Sequence, residues 1–239
     1  MQASNELTVW CVNIGTKYHP DYVYALKEMV DKYLTIPHEF KCITTLHLPD
    51  IFCVKPHLPY QGWWSKINLF SKGMATGPSL YFDLDVLIVK NINYLANYTQ
   101  YKFAAPANWA MSGHGGVQSS VMAWRGDWTE PADRIKPLWK DKLELESGHT
   151  MIANKAYWGD QEWIGYILGD DWMKIEGIGS YKYHCRQDIP DWLKVMVFHG
   201  NPKPHEVNDK WISHFIPPTL HRIKGNILSG SVKGQSATA

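Results

Sequence analysis

The stretch Leu80-Tyr-Phe-Asp-Leu-Asp-Val-Leu-Ile-Val89 decides the fold class. Apolar residues run on both sides of Asp83 and Asp85, the pattern of a parallel-sheet strand covered on both faces. Residues i and i+2 of an extended chain point to the same side, so the sequence predicts two neighbouring carboxylates on a buried strand. These would repel, and desolvation would disfavour both charges. A divalent cation is the simplest partner that keeps both ionised, and Mg2+-type ions take one or two carboxylates together with substrate phosphates. The competing reading is a short acidic triplet in a solvated turn. Against it, few charged residues are fully buried without partners.

Upstream, Leu7 to Ile14 reads as a short central strand. Gly15 to Pro20 forms a turn, and Asp21 can cap a helix running to about Leu34. Tyr22, Ala25, Leu26, Met29, Val30 and Tyr33 give that helix its apolar period, and Pro37 lies beyond its end. Phe40 to Ile43 is a second strand. Strand, helix and strand in this order predict a parallel α/β unit. Trp63 to Phe70 reads as a short helix feeding the Asp83 strand. Lys102 to Ala105 and Ser120 to Trp124 are further strand candidates, and Glu130 to Leu143 and Gly159 to Leu168 read as helices.

A late apolar strand, Lys194 to Phe198, leads straight into His199-Gly-Asn-Pro-Lys-Pro-His205. Ligands of open α/β sheets bind outside the carboxyl ends of strands. Asp83, Asp85 and His199 can therefore converge there, and a mixed oxygen and nitrogen set suits Mn2+ better than Ca2+. Lys203, framed by two prolines, can reach a phosphate on the same metal. The bland alternative is a surface loop with an incidental His and Lys.

Three segments together resemble the GT-A glycosyltransferases, in particular the family 8-like, glycogenin-like nucleotide-sugar transferases. Tyr81-Phe-Asp-Leu-Asp-Val86 is similar to that group's D-x-D strand end. Phe198-His-Gly-Asn-Pro-Lys-Pro204 is similar to its H-x-G-x-x-K-P pattern, with Gly200 directly after His199. Trp64 to Phe70 is similar to the segment that precedes the D-x-D strand. The resemblance implies an α/β fold with a Rossmann-like, mixed but mainly parallel central sheet flanked by helices. It implies Asp83, Asp85 and His199 as ligands of Mn2+ or Mg2+, and Asp83 near the donor ribose. Lys203 would hold the diphosphate, Gly200 would let the backbone approach it, and Lys66 would stand beside the diphosphate or sugar. Tyr18 would stack on the nucleobase, with Val12, Asn13 and Thr16 lining that pocket. Gln118 and Ser119 would contact the donor sugar, and Asp160 and Gln161 would lie near the reacting carbon. The departures are plain: the first turn lacks the family's acidic residue, Gln118 stands where an Asn is usual, Ser120 where a Gly is and His205 where a Trp is.

Several of these residues have ordinary readings too. Tyr18 can cover the first helix, Lys66 can be a solvated helix residue, and Asp160 can favour a helix N-terminus through the dipole. Trp63 and Trp64 can form an acceptor-sugar platform or pack in the core.

Composition narrows the function. A net charge of +1 leaves no global nucleic-acid footprint. The spacing of Cys11, Cys42, Cys53 and Cys185 fits no metal or redox motif. No apolar run approaches the ~18 residues of a membrane span. No signal peptide is evident, so a cytoplasmic protein is expected. One domain is expected over residues 1–224, followed by a flexible Gly/Ser-rich tail over 225–239. The leading function is metal-dependent transfer of a hexose from a nucleotide diphosphate sugar, with uridine favoured by the resemblance, to a hydroxyl of a glycan, lipid or protein, with retention. A metal-dependent nucleotidyltransferase or phosphohydrolase, or a nucleotide-sugar-binding protein without turnover, remains open from sequence. A dinucleotide oxidoreductase is disfavoured, because the first turn lacks G-x-G-x-x-G.

Overall fold

Strand β1 (Leu7–Asn13) lies at the centre of the molecule because both its faces are apolar. Side chains alternate along it: Val9 and Cys11 enter one core cluster and Trp10 enters the other. The structure, a computed structural model, describes residues 6–109, 116–185 and 187–228. After a turn, helix α1 (Asp21–Tyr33) returns along one face and buries Tyr22, Val23, Ala25, Leu26, Met29 and Val30. Asp21 is its first residue and not its cap, and no side chain caps that end. Strands β2 (His38–Thr44) and β3 (Phe52–Val54) then add in parallel beside β1.

The segment Gly62–Phe70 is a 3₁₀ helix. It leads to β4 (Pro78–Phe82), which pairs in parallel with β1 on the side opposite β2. The chain then leaves the sheet. β5 (Val86–Ile88) belongs to a separate three-stranded sheet. The stretch quoted above is therefore two strands and not one, and Asp83, Leu84 and Asp85 are the corner between them. The main sheet continues through β6 (Ala104–Ala105) and β7 (Val121–Arg125), which pairs antiparallel with β4 and β6.

Helix α2 (Glu130–Ile135) is much shorter than the expected run to Leu143. Pro137 explains this: the residue before a proline is pushed out of the helical region, and proline cannot continue the hydrogen-bond ladder. A 3₁₀ turn, Trp139–Asp141, follows, and Leu143 falls in β8 (Leu143–Glu144). That strand forms a small antiparallel sheet with β9 (Thr150–Ile152) and β10 (Lys155–Tyr157). Helix α3 (Asp160–Leu168) runs close to its expected span. β11 (Met173–Lys174) closes the edge of the seven-stranded sheet, whose order is β11-β6-β7-β4-β1-β2-β3. Its pairings are parallel except those of β7, so the expected mixed, mainly parallel sheet is present.

β12 (Ile178–Ser180), the short helix α4 (Tyr181–His184) and β13 (Val195–Val197) complete the second sheet. β13 runs antiparallel to β5 there, so the strand before His199 is not part of the main sheet. Helix α5 (Pro218–Leu228) buries Leu220 and Ile223 in the α1-side core. Its apolar period carries the chain in helical form four residues into the segment read as a tail; residues 229–239 lie outside the described ones.

The two faces of the main sheet carry separate cores, one under α1 and α5, the other under Gly62–Phe70, α2 and α3. Ile43 sits fully buried in the second. Ile43→Val should lower stability by about 0.5–1.5 kcal/mol, read as a lower denaturation midpoint with unchanged slope. A midpoint equal to wild type would show that this face of β2 is not packed as described. The cysteines are free thiols. Cys11, Cys42 and Cys53 stand in register on β1, β2 and β3.

Candidate active site

A cavity of about 530 Å³ opens where β1 and β4 end, within the 300–1,000 Å³ usual for small-ligand sites. Its wall draws on five places: the first turn, the Gly62–Phe70 segment, the Asp83–Asp85 corner, the loop before β7 and the start of α3. The His199–Lys203 loop closes the far side. Val12, Asn13, Tyr18, Lys66, Asp83, Asp85, Gln118, Ser119, Asp160, Gln161, His199, Gly200 and Lys203 all line it. Thr16 does not. β1 ends at Asn13, Gly15 turns the chain at a φ of 83°, and Thr16 is left exposed.

The charges divide into two groups. At one end, Lys66 Nζ lies 3.1 Å from Asp83 Oδ1 and 3.0 Å from Asp160 Oδ2. It also donates to Ser119 Oγ at 2.9 Å, and Ser119 Oγ donates to Asp160 Oδ2 at 2.8 Å. Burial alone would push the Lys66 ammonium down, but the Asp160 and Asp83 carboxylates outweigh it and hold it above the ordinary lysine value. Burial likewise works against the Asp83 charge, but Lys66 and the Tyr81 hydroxyl hold that carboxyl below its usual range. Asp160 goes the other way: burial raises it, and Lys66 only partly compensates. Lys66 is thus no solvated helix residue; it is the buried cation between two carboxylates.

At the other end, Lys203 Nζ lies 2.5 Å from Asp85 Oδ2, and the Tyr18 hydroxyl donates to the same oxygen at 2.6 Å. Burial, then the Asp85 charge, pushes the Tyr18 phenol far up, so it stays a donor. Tyr18 was expected as a base-stacking ring. Its hydroxyl holds Asp85, and its ring lines the cavity while packing edge-on against Tyr22. Gly200 takes a φ of 70°, which a side chain would resist, and so turns the loop between His199 and Lys203.

Asp83 and Asp85 lie at the corner between β4 and β5 and not within one strand. At the corner each turns to its own lysine, which relieves their mutual repulsion. His199 Nε2 shares a 2.7 Å hydrogen bond with Ser180 Oγ, and Tyr183 stacks on its ring at 5.4 Å. Burial, then Lys182, pushes this imidazole below the ordinary histidine value. Among the described residues, no three His, Cys, Asp or Glu side chains are gathered as a metal-holding group. The chemistry of the donor set still suits Mn2+ or Mg2+: two carboxylates and a neutral imidazole line one space. Lys203 supplies the positive charge on Asp85.

Asn13 is 2% exposed and lines the cavity, and its Nδ2 has no hydrogen-bond partner among the described residues. An orphaned buried donor costs about 1–3 kcal/mol, and a water or a ligand acceptor in the cavity would relieve it. Gln118 is used locally: it donates from Nε2 to Ser120 Oγ and accepts from the Ser120 N–H at Oε1. Gln161 Oε1 accepts from the Ser119 N–H at 3.2 Å.

Four contributors were not read from sequence. Tyr81 donates to Asp83 at 2.5 Å, and the i, i+2 rule along a strand could have found it. Ser180 and Trp158 carry no local signal. Lys17 lines the cavity with its ammonium 5.3 Å from the ring centroids of both Tyr18 and Trp63. Desolvation and the charge of Lys203 hold it below the ordinary lysine value.

No protein-family model matches the chain, and no curated protein does. Solved structures do. The galactosyltransferase LgtC, solved with donor and acceptor sugar analogues, is 11% identical with a TM-score of 0.59, over 96% of this chain and 97% of that one. A second LgtC structure carries an active-site Gln-to-Glu change. The glycosyltransferase GlyE of Streptococcus pneumoniae TIGR4 is 12% identical with a TM-score of 0.62, over 94% of this chain and 64% of that one. The bifunctional glycosyltransferase WbbM is 8% identical with a TM-score of 0.60, over 90% and 50%. At such identities the likeness is one of fold, and the fold is that of GT-A glycosyltransferases. Among the described residues no helix is long and apolar enough to cross a membrane.

Proposed function

We propose that this protein is a glycosyltransferase that moves a hexose from a nucleotide diphosphate sugar, with uridine as the favoured base, to an acceptor hydroxyl with retention. One observation carries the reading. A single cavity at the strand ends of a GT-A fold joins the Asp85–Lys203 pair to the Lys66–Asp83–Asp160 cluster. The chemistry to be served is departure of a nucleoside diphosphate from an anomeric carbon. Negative charge develops on the leaving phosphate oxygen, and Lys203 is the fixed cation at that end of the cavity.

Asp83, Asp85 and His199 would hold the divalent ion, which supplies Lewis acidity at the diphosphate. Lys66 fixes Asp83 and Asp160 and keeps both from drifting toward the sugar as free charges. Asp160 and Gln161 would face the reacting carbon. Asn13 would donate to the base from its orphaned Nδ2. The departing phosphate oxygen can take the acceptor proton on the face it leaves, which preserves the anomeric configuration without a separate strong base.

A thermal-shift screen of UDP, ADP and GDP with and without Mn2+ tests donor binding. A ligand at 100 times its Kd stabilises the folded state by about 2.7 kcal/mol. One nucleoside diphosphate should raise Tm accordingly, and EDTA should remove most of the shift. Equal melting in all nucleotides would overturn the reading.

A further inference from the structure

We infer that Trp63 and Trp158 form a sugar-binding subsite at the Lys66–Asp160 end of the cavity, and that the acceptor is a carbohydrate whose pyranose ring stacks there. The inference rests on the glycosyltransferase reading and adds the acceptor class to it.

Large aromatic side chains bury when they can, and Trp10, Trp64, Trp124, Trp128 and Trp163 do. Trp64 is buried and donates from Nε1 to Thr150 Oγ1 at 3.0 Å, so it belongs to the core. Trp63 and Trp158 differ: they are 52% and 41% exposed, and both line the cavity. The fold puts them together. A methyl group added at Gly159 would lie 3.1 Å from Trp63 Cβ, so the Trp158–Gly159 backbone presses directly on Trp63. Each precedes one member of the buried ion pair, Trp63 in the segment that carries Lys66 and Trp158 just before Asp160. Both rings therefore line the cavity beside the segments that carry Lys66 and Asp160.

The ring contacts hold this wall in place. His149 packs on Trp158 with centroids 3.9 Å apart, and Lys17 lies over Trp63. Asp160 and Gln161 line the same cavity as the two rings. Aromatic faces beside hydrogen-bonding groups match a pyranose, which has apolar C–H faces and a rim of hydroxyls. A lipid tail would need a continuous apolar lining. This cavity instead carries the carboxylates of Asp83, Asp85 and Asp160 and the ammonium groups of Lys17, Lys66 and Lys203.

The test is saturation-transfer NMR on the full chain with UDP and Mn2+ present. The probes are methyl α- and β-pyranosides of glucose, galactose and mannose, a serine-containing peptide and a short alkyl alcohol. Wild type should transfer saturation to the ring protons of at least one pyranoside. Trp63→Leu and Trp158→Leu should each weaken that binding by about tenfold, and Trp63→Phe and Trp158→Phe should stay within about threefold of wild type. Both positions are exposed, where substitutions rarely threaten folding. The inference is overturned if UDP binds but no pyranoside does, if leucine serves as well as phenylalanine, or if the peptide or alcohol takes the site in a Trp-dependent way. Failure of every nucleotide to bind would instead strike the glycosyltransferase reading itself.

Discussion

Lys66→Met is expected to destabilise the protein by about 3–5 kcal/mol, the cost of removing one partner from a buried ion cluster. Methionine keeps the length and apolar stem of lysine but leaves the Asp83 and Asp160 carboxylates facing each other without their common cation. The sign with pH follows from the shifts. In wild type Asp83 lies below its ordinary value, so its contribution is present above the usual carboxylate range, about pH 4, and is lost as pH falls through its own lower value. Asp160, raised by burial, already costs stability above that range. Without Lys66 both carboxyls move up, and the folded variant holds protons more tightly than its unfolded chain. The deficit should therefore be full at neutral pH and shrink as pH falls toward about 4. Denaturant titrations of both proteins at neutral and acid pH check this. A deficit independent of pH would mean that Lys66 acts through packing alone.

Asp85→Asn should leave the fold standing and cut turnover by about 10²–10³, the scale of removing one electrostatic partner of the transition state. The change is isosteric, but it removes the charge that Lys203 and the Tyr18 hydroxyl both address. Lys203 is then no longer fixed by a counter-charge, and one of the two carboxylates proposed for the divalent ion is gone. Wild type treated with EDTA should fall to the same low level, while EDTA should change the variant little. Full turnover of Asp85→Asn in the presence of EDTA would remove the metal from the account.

The parts legible in sequence were those with local cause. β1, α1 and β2 follow from periodicity, and the strand-end positions of Asp83 and His199 follow from apolar runs broken by polar loops. The parts missed were set by distant contacts. Asp83 and Asp85 read as neighbours on one strand, because nothing local says that β4 and β5 join different sheets. The pairing of Lys66 with Asp160 is tertiary, which turns an ordinary helix-start carboxylate into a buried partner. The last turn of α5 falls in the Gly/Ser-rich stretch 225–239, whose composition says nothing of the Leu220 and Ile223 contacts that hold the helix. Trp64 is buried and Trp63 exposed, and sequence cannot say which of two adjacent rings faces solvent.

The most direct test of the central claim is to follow the reaction by NMR with nucleotide diphosphate hexoses, Mn2+ and pyranoside acceptors. The account predicts release of a nucleoside diphosphate together with a new glycoside whose anomeric configuration equals that of the donor. Release of a nucleoside monophosphate with a sugar phosphate, or of orthophosphate, with no glycoside formed, would contradict it.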